Sequence, residues 1–472
     1  MNTSDISEDL ANKVAAMKRA FIADGPPDVA LRRDRLERAV QLLGRHHGEL
    51  EAAISADFGH RSAYQTLLTD VQFPISGLRY AQESLERWML AEETPAPVPG
   101  MQTRVQYQPL GVIGIISPWN FPLNLAFGPL AGAFAAGNRA LLKPSELTPR
   151  TAELLAKLAG RYFDPMELDV VQGDAAVGAA FSGLPFDHLV FTGSTAVGRH
   201  LMRAAAENLV PVTLELGGKS PVLIDTDADV RRAVERVLTV KTFNAGQICI
   251  SPDYVLLPET AREAFVTLAR EFVAETLPTL RDNPDYTSIV SDRHYQRLLG
   301  LLDDAATKGA TIISLAPGGE ANTDNATRKL APTLVLDPTD DMQLMQEEIF
   351  GPILPLLTYH EAEQALDYIN THPRPLAAYY FGDDPDRQKA FSERTTSGGL
   401  VVNDVMTHVA VETLPFGGIG PAGMGAYHGI HGFRRFSHAK AVVIQSAGGE
   451  SNLPLRAPYA DKLPQLEELL AS

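Results

Sequence analysis

From Gly111 onward the chain alternates short apolar runs with helix-patterned stretches, and no other feature restricts the fold as strongly. VIGIIS, RALLKPS, LDVVQG and HLVFTGS are such runs, separated by segments such as LNLAFGPLAGAFAAG. Continuous apolar runs of strand length fit strands buried on both faces, and the intervening helices supply the crossovers that parallel pairing needs. A second series follows Leu214, with SPVLI, the helical VRRAVERVLTVKTFNAG, YVLL, PILPLLTY, AAYYFG and GGLVVN. The expectation is an α/β chain with two parallel, Rossmann-like sheets in tandem.

A chain of 472 residues is too long for a single core, so two or three domains are expected. Residues 1–93 carry apolar positions at three- and four-residue spacing and read as helices. The segment AEETPAPVPGMQ breaks that pattern and leads into the strand-like TRVQYQPLG. Residues 1–93 and 111–214 are thus assigned to a first α/β domain, and 215–415 to a second. Residues 94–110 and 430–472 form an arm and a C-terminal tail.

The formal charge of −17 argues against nucleic acid or an anionic membrane as a partner, because both need a basic face. One cysteine permits neither an intrachain disulfide nor a cysteine-rich zinc site, and no metal site is expected. MNTSDISEDLANK lacks an apolar leader core, and no run of about 18 uncharged apolar residues occurs, so the expected location is the cytoplasm.

Several strand ends carry side chains with chemical potential. Cys249, in FNAGQICISP, reads either as a small buried hydrophobe or as a nucleophile whose own backbone N–H faces an oxyanion. In PWNFP, Trp119 and Asn120 form either a helix-capping turn or a loop that aims an amide at developing negative charge. Lys143 and Glu146 of LLKPSE suit the hydroxyls of a ribose or merely a solvated ion pair. FTGSTAVGR places Gly193, Ser194 and Gly198 where a strand meets a helix, a setting for a pyrophosphate, although the spacing is not G-x-G-x-x-G. Glu215, in LELGGKSP, sits where partial burial would raise its pKa toward a general base's range. EEIFGP, with Glu348 and Phe350, and the glycine-dense LPFGGIGPAGMGAYHG complete the set. His408 and His428 flank that last loop and read either as touching substrate or as structuring its turn.

In this order, PWNFP, LLKPSE, FTGS, ELGGKSP, FNAGQIC, EEIFGP and LPFGG resemble the aldehyde dehydrogenase superfamily along nearly the whole chain. SPDYVLL and GMGAYHGIHGFRRFSHAK are similar to its class 3 branch, and DFGHRS and NLPLRAPY to the bacterial coniferyl aldehyde dehydrogenases within it. The resemblance implies a bridging β-hairpin, near residues 94–110 with a partner strand near Lys440–Ser446, that pairs across a homodimer. It implies Cys249 as nucleophile, Asn120 and the Cys249 N–H as oxyanion donors, and Glu215 as the base for thioester hydrolysis. Trp119, Lys143, Glu146, Gly193, Ser194, Gly198, Glu348 and Phe350 fall on the cofactor side. Glu146 should repel a 2′-phosphate, which favours NAD, with NADP the alternative. The implied substrate is a small aldehyde, coniferyl or another aryl aldehyde, the alternative being a medium- or long-chain aliphatic one. Ile248 departs from the threonine or other small residue that usually precedes the nucleophile, which bears on substrate range.

Overall fold

The computed structural model describes residues 3–449 and 452–472. Helices Thr3–Asp24, Val29–Arg45, His47–Phe58 and Phe73–Met89 precede the first strand. Between the last two the chain passes through a short helix, Ala63–Thr66, and a single wide π turn, Leu67–Gln72. The amphipathic spacing of these segments is explained by where they pack: Leu36, Leu43, Ile54 and Leu85 are fully buried against the first sheet's helices and strands.

The first sheet has six strands, in the order Gly423–Met424, Val212–Leu216, His188–Gly193, Val112–Ile116, Arg139–Lys143 and Leu168–Val170. All neighbours are parallel except the short Gly423–Met424 edge. The chain winds outward from Val112–Ile116 and then crosses back to His188–Gly193, so a switch point lies between those two strands. Ligands of open α/β sheets bind beyond the C-terminal ends of the strands at such a point. One face of this sheet packs on Thr3–Asp24 through Leu10, Val14 and Met17, and the other face joins the main core.

The second sheet has seven strands, in the order Thr311–Ser314, Thr333–Leu336, Ile353–Tyr359, Pro252–Pro258, Ser220–Ile224, Ala377–Phe381 and Gly399–Val402. Only its Thr311–Ser314 edge is antiparallel. A third, antiparallel sheet joins Glu92–Thr94, Gln102–Pro109 and Ser437–Ile444. Its outer strand begins at Ser437 rather than near Lys440, and its first strand already starts at Glu92, inside the stretch expected to be helical. The prolines at 95, 97 and 99 allow an extended chain there but no helix.

One element differs from the sequence pattern in a way that matters below. The helix expected to run through FNAG stops at Thr242, and Phe243–Gly246 forms a 3₁₀ turn with Asn244 and Ala245 at φ 50° and 51°. Buried polar contacts of Asn244 hold this left-handed turn, which periodicity does not report.

Candidate active site

Four segments meet between the C-terminal ends of the first sheet and the N-terminal ends of two strands of the second. PWNFP follows Val112–Ile116, Glu215 lies in Val212–Leu216, Cys249 just precedes Pro252–Pro258, and Glu348 just precedes Ile353–Tyr359. The cysteine loop is fixed by its own amides. Gln247 donates to the carbonyls of Asn244 (2.9 Å) and Ser288 (3.1 Å) and accepts from Val290 N–H (3.0 Å). Asn244 donates to the Asn120 and Gln247 carbonyls, and its backbone N–H reaches Gln65 Oε1 at 2.9 Å. The Tyr379 hydroxyl holds the carbonyl of Ile250. At Gly246, φ is 71° and a Cβ would lie 2.4 Å from the Gly351 carbonyl oxygen, so only glycine fits.

Asn120 is almost fully buried and donates one amide hydrogen to the Gln247 carbonyl at 3.2 Å. That bond ties it to the cysteine loop and leaves its second amide hydrogen for an oxyanion. Its loop rests on a group not singled out from the sequence. Asp70 Oδ1 accepts from Leu123 N–H (3.0 Å) and Asn124 N–H (3.2 Å) at the start of helix Asn124–Ala136, and Asp70 Oδ2 pairs with Arg61 at 2.9 Å. Both side chains of the pair are fully buried, with the Arg61 guanidinium over the rings of Phe58 and Phe121. DFGHRS contains Arg61, but nothing local shows that it lies inside the protein or that Asp70 is its partner.

Cys249 is half-buried, with carboxylates facing it. Burial, followed by the charges of Glu348 and Glu215, pushes the thiol up to about 12, although the N–H groups of Cys249 and Ile250 pull it down. Without a cofactor, the backbone donors alone do not offset the burial and the two carboxylates. Glu215 is 2 % exposed, neither carboxylate oxygen has a hydrogen-bond partner among the described residues, and burial raises its pKa well above the ordinary value despite Arg435. Arg435 is committed elsewhere, to Thr213 Oγ1 (2.8 Å) and the Val212 carbonyl (2.6 Å). Glu348 is raised to about 8 by burial and by Asp253. It lies so close to Gly217 that a Cβ there would meet Glu348 Oε2 at 2.1 Å. Its loop is pinned by Lys219, which pairs with Asp253 and donates to the Leu344 (2.6 Å) and Glu347 (3.1 Å) carbonyls, while Ile349 N–H donates to Asp253 (2.9 Å).

On the other side of the cysteine loop, Trp119 meets Phe350 edge-on (5.3 Å between centroids) and also contacts His294 and Phe58. At the next strand end the buried Lys143 ammonium lies 3.3 Å from the half-exposed Glu146 carboxylate and 3.1 Å from the Pro144 carbonyl. Ser194 caps helix Thr195–Ala206 by accepting from Val197 N–H, which leaves that helix N-terminus open beside the switch point. Gly193 ends the strand before it, and Gly198 packs on Leu216. Free N–H groups at a helix start, beside a lysine–carboxylate pair, suit a dinucleotide's pyrophosphate and ribose.

Cys249 opens into an apolar pocket lined by Phe121, Leu125, Ile248, Met406, Phe416 and Tyr427, among others. Ile248 is therefore part of the pocket wall. His428 also lines it, so this histidine does more than structure a turn, whereas His408 packs beside Phe416 and Gly399.

A thiol facing buried carboxylates and an asparagine amide, at the crevice of a dinucleotide-type sheet, is the arrangement of an oxidoreductase working through a covalent cysteine intermediate. The chain belongs to the aldehyde dehydrogenase family, whose model matches residues 3–442, and it is accordingly an oxidoreductase of small aldehydes. It is 55% identical over 466 residues to coniferyl aldehyde dehydrogenase of Pseudomonas sp. (strain HR199 / DSM 7063), covering 99% of this chain and 97% of that one. Its fold is similar to that of Staphylococcus aureus AldH in a substrate-bound state, with a TM-score of 0.91, 35% identity and coverage of 98% and 99%. It is also similar to indole-3-acetaldehyde dehydrogenase complexed with NAD+, with a TM-score of 0.85, 28% identity and coverage of 93% and 89%. The family and the two-sheet fold drawn from the ordered motifs are thus correct.

Proposed function

We propose that this enzyme oxidises coniferyl aldehyde or a closely related aryl-propenal to the carboxylic acid with NAD, through a thioester on Cys249. The observation that carries the reading is the half-buried Cys249 thiol at the end of an apolar pocket, between the buried carboxylate of Glu215 and the amide of Asn120. The name of the Pseudomonas relative supports the substrate.

Cys249 loses its proton to a carboxylate neighbour and its sulfur bonds to the aldehyde carbon. The aldehyde oxygen becomes an oxyanion, held by the free amide hydrogen of Asn120 and the Cys249 N–H. Lys143, Glu146, the helix start at Ser194, and Glu348 with Phe350 and Trp119 would hold NAD, which when bound would supply the hydride acceptor needed to oxidise the thiohemiacetal carbon to the thioester. Glu215, raised by burial, takes a proton from water. The resulting hydroxide adds to the acyl carbon, the carbon–sulfur bond breaks, and the acid leaves with the Cys249 thiolate restored.

The half-exposed Glu146 carboxylate supports NAD over NADP, since a 2′-phosphate beside it would be repelled. The open edge of strand Ser437–Ile444, with Val443 and Ile444 exposed, supports a homodimer bridged through the arm. The reading is tested by following NADH at 340 nm with coniferyl aldehyde, benzaldehyde and octanal, each with NAD and with NADP. Turnover is expected to be fastest with coniferyl aldehyde and NAD and to vanish in Cys249→Ala. Faster turnover of octanal would discard the aryl substrate, and NADH formed without Cys249 would discard the mechanism.

A further inference from the structure

The pocket at Cys249 does not end at its apolar wall. A second chamber shares Phe73, Asn124, Gly128, Val409 and His428 with it and continues between helices Phe73–Met89 and Asn124–Ala136. The two chambers differ in chemistry. The one at the nucleophile is lined mainly by apolar side chains, whereas the distal one adds the carboxylate of Glu412, with the His428 ring shared by both.

Both polar groups are set up to receive a ligand. Glu412 has no cationic partner among the described residues; burial raises its pKa, and the backbone N–H of Gly429, which donates to its carboxylate, pulls it back down. The carboxylate approaches helix Phe73–Met89 at Gly77, where a Cβ would lie 2.9 Å from Glu412 Oε1, so a glycine leaves it room. His428 stacks on Phe416, with ring centroids 5.2 Å apart and planes 15° apart, and its Nδ1 is buried without a hydrogen-bond partner among the described residues. Burial lowers its pKa to about 4, so at neutral pH the imidazole is uncharged. A carboxylate and a neutral imidazole at the end of an otherwise apolar channel match a hydroxyl at the far end of a flat apolar molecule, and they disfavour an alkyl terminus.

We propose that Glu412 and His428 form a subsite for the phenolic hydroxyl of a 4-hydroxyaryl aldehyde, the hydroxyl donating to the Glu412 carboxylate while the aldehyde carbon lies at Cys249. This assignment rests on the aryl-aldehyde reading above and adds what selects the ring. A carboxylate suits a phenol better than a second imidazole or amide would, because a charged acceptor makes the stronger hydrogen bond. The methyl ether of the same phenol keeps the oxygen but has no hydrogen to donate, and it leaves the carboxylate desolvated and unpaired.

The test compares coniferyl aldehyde with its 4-O-methyl ether, and 4-hydroxycinnamaldehyde with cinnamaldehyde, in wild type, Glu412→Gln and Glu412→Leu. Wild type is expected to favour the free phenol in kcat/KM by about 10- to 100-fold within each pair, the range a hydrogen bond to a charged group provides. The preference should appear mainly in KM. Both variants are expected to reduce the ratio to within a few-fold of one, and His428→Phe to reduce it in part. Binding of the product acids by calorimetry to wild type and Glu412→Gln, with no cofactor present, supplies a readout independent of turnover. There 4-hydroxy-3-methoxycinnamate should bind wild type more tightly than cinnamate, and the variant should bind them alike. Equal kcat/KM for phenol and ether in wild type, or a preference that survives both Glu412 substitutions, would overturn the subsite. Failure of every aldehyde to yield Cys249-dependent NADH would instead overturn the oxidation reading, and the calorimetric comparison would still decide the subsite.

Discussion

Cys249 and the two acids facing it illustrate how burial sets reactivity. With its thiol pushed up to about 12, Cys249 of the cofactor-free protein is almost wholly protonated at neutral pH. Alkylation by iodoacetamide should accordingly be slow at pH 7 and rise about tenfold per pH unit, since thiolate is the reactive species. Glu348→Gln should accelerate it, chiefly above pH 8 where Glu348, itself raised to about 8, carries its charge. A pH-independent alkylation rate would contradict this picture. Glu215 makes a stability prediction as well. Its folded-state pKa lies above the ordinary 4.5, so between those two values the native state binds more protons than the unfolded one and stability falls as pH rises. Glu215→Gln removes that loss: its gain in thermal stability should be small near pH 4.5 and grow as the pH rises above it. The same variant should still form the acyl-enzyme in a burst yet fail to turn over, which rapid-quench measurements of NADH would detect. Asn120→Ala should cost about 10²- to 10³-fold in kcat, the usual loss for one oxyanion donor.

At the scale of elements, the site depends on two loops being held against each other. The Arg61–Asp70 pair and the Gln65 amide belong to the stretch around the π turn Leu67–Gln72 and reach the PWNFP loop and the cysteine turn respectively. Asp70→Ala leaves Arg61 buried without its counter-ion and should destabilise the protein by about 3–5 kcal/mol, measurable as a lowered denaturant midpoint. Gly246→Ala should be milder in stability but severe in activity, because the displaced Gly351 carbonyl belongs to the loop that carries Glu348. The motifs PWNFP, LELGGKSP, FNAGQIC and EEIFGP marked these loops in the sequence, since amides, glycines and prolines clustered at strand ends are visible one segment at a time. Their mutual support was not. Arg61, Asp70, Gln65 and Tyr379 are distant in sequence from what they hold, and an arginine among polar neighbours gives no local sign of being fully buried.

For the whole molecule, the arm sheet leaves strand Ser437–Ile444 with one unpaired edge, and a dimer in solution should follow. Light scattering is expected to report twice the chain mass, and a charged substitution at Val443 should shift it toward the monomer. No helix among the described residues is long and apolar enough to cross a membrane. By itself the amino-acid sequence determined the α/β class, the tandem parallel sheets and the family, and it singled out Cys249 as the candidate nucleophile. Those are written in short-range patterns: apolar runs of strand length, helical spacing, and compact motifs at strand ends. The tertiary structure alone decided that Glu215 is buried without a hydrogen-bond partner among the described residues, that burial and carboxylates from two other segments push the Cys249 thiol up, and that Glu412 lines a chamber next to the cysteine pocket. Burial, pKa and cavity shape depend on which distant segments pack together, and that packing is a property of the folded chain as a whole.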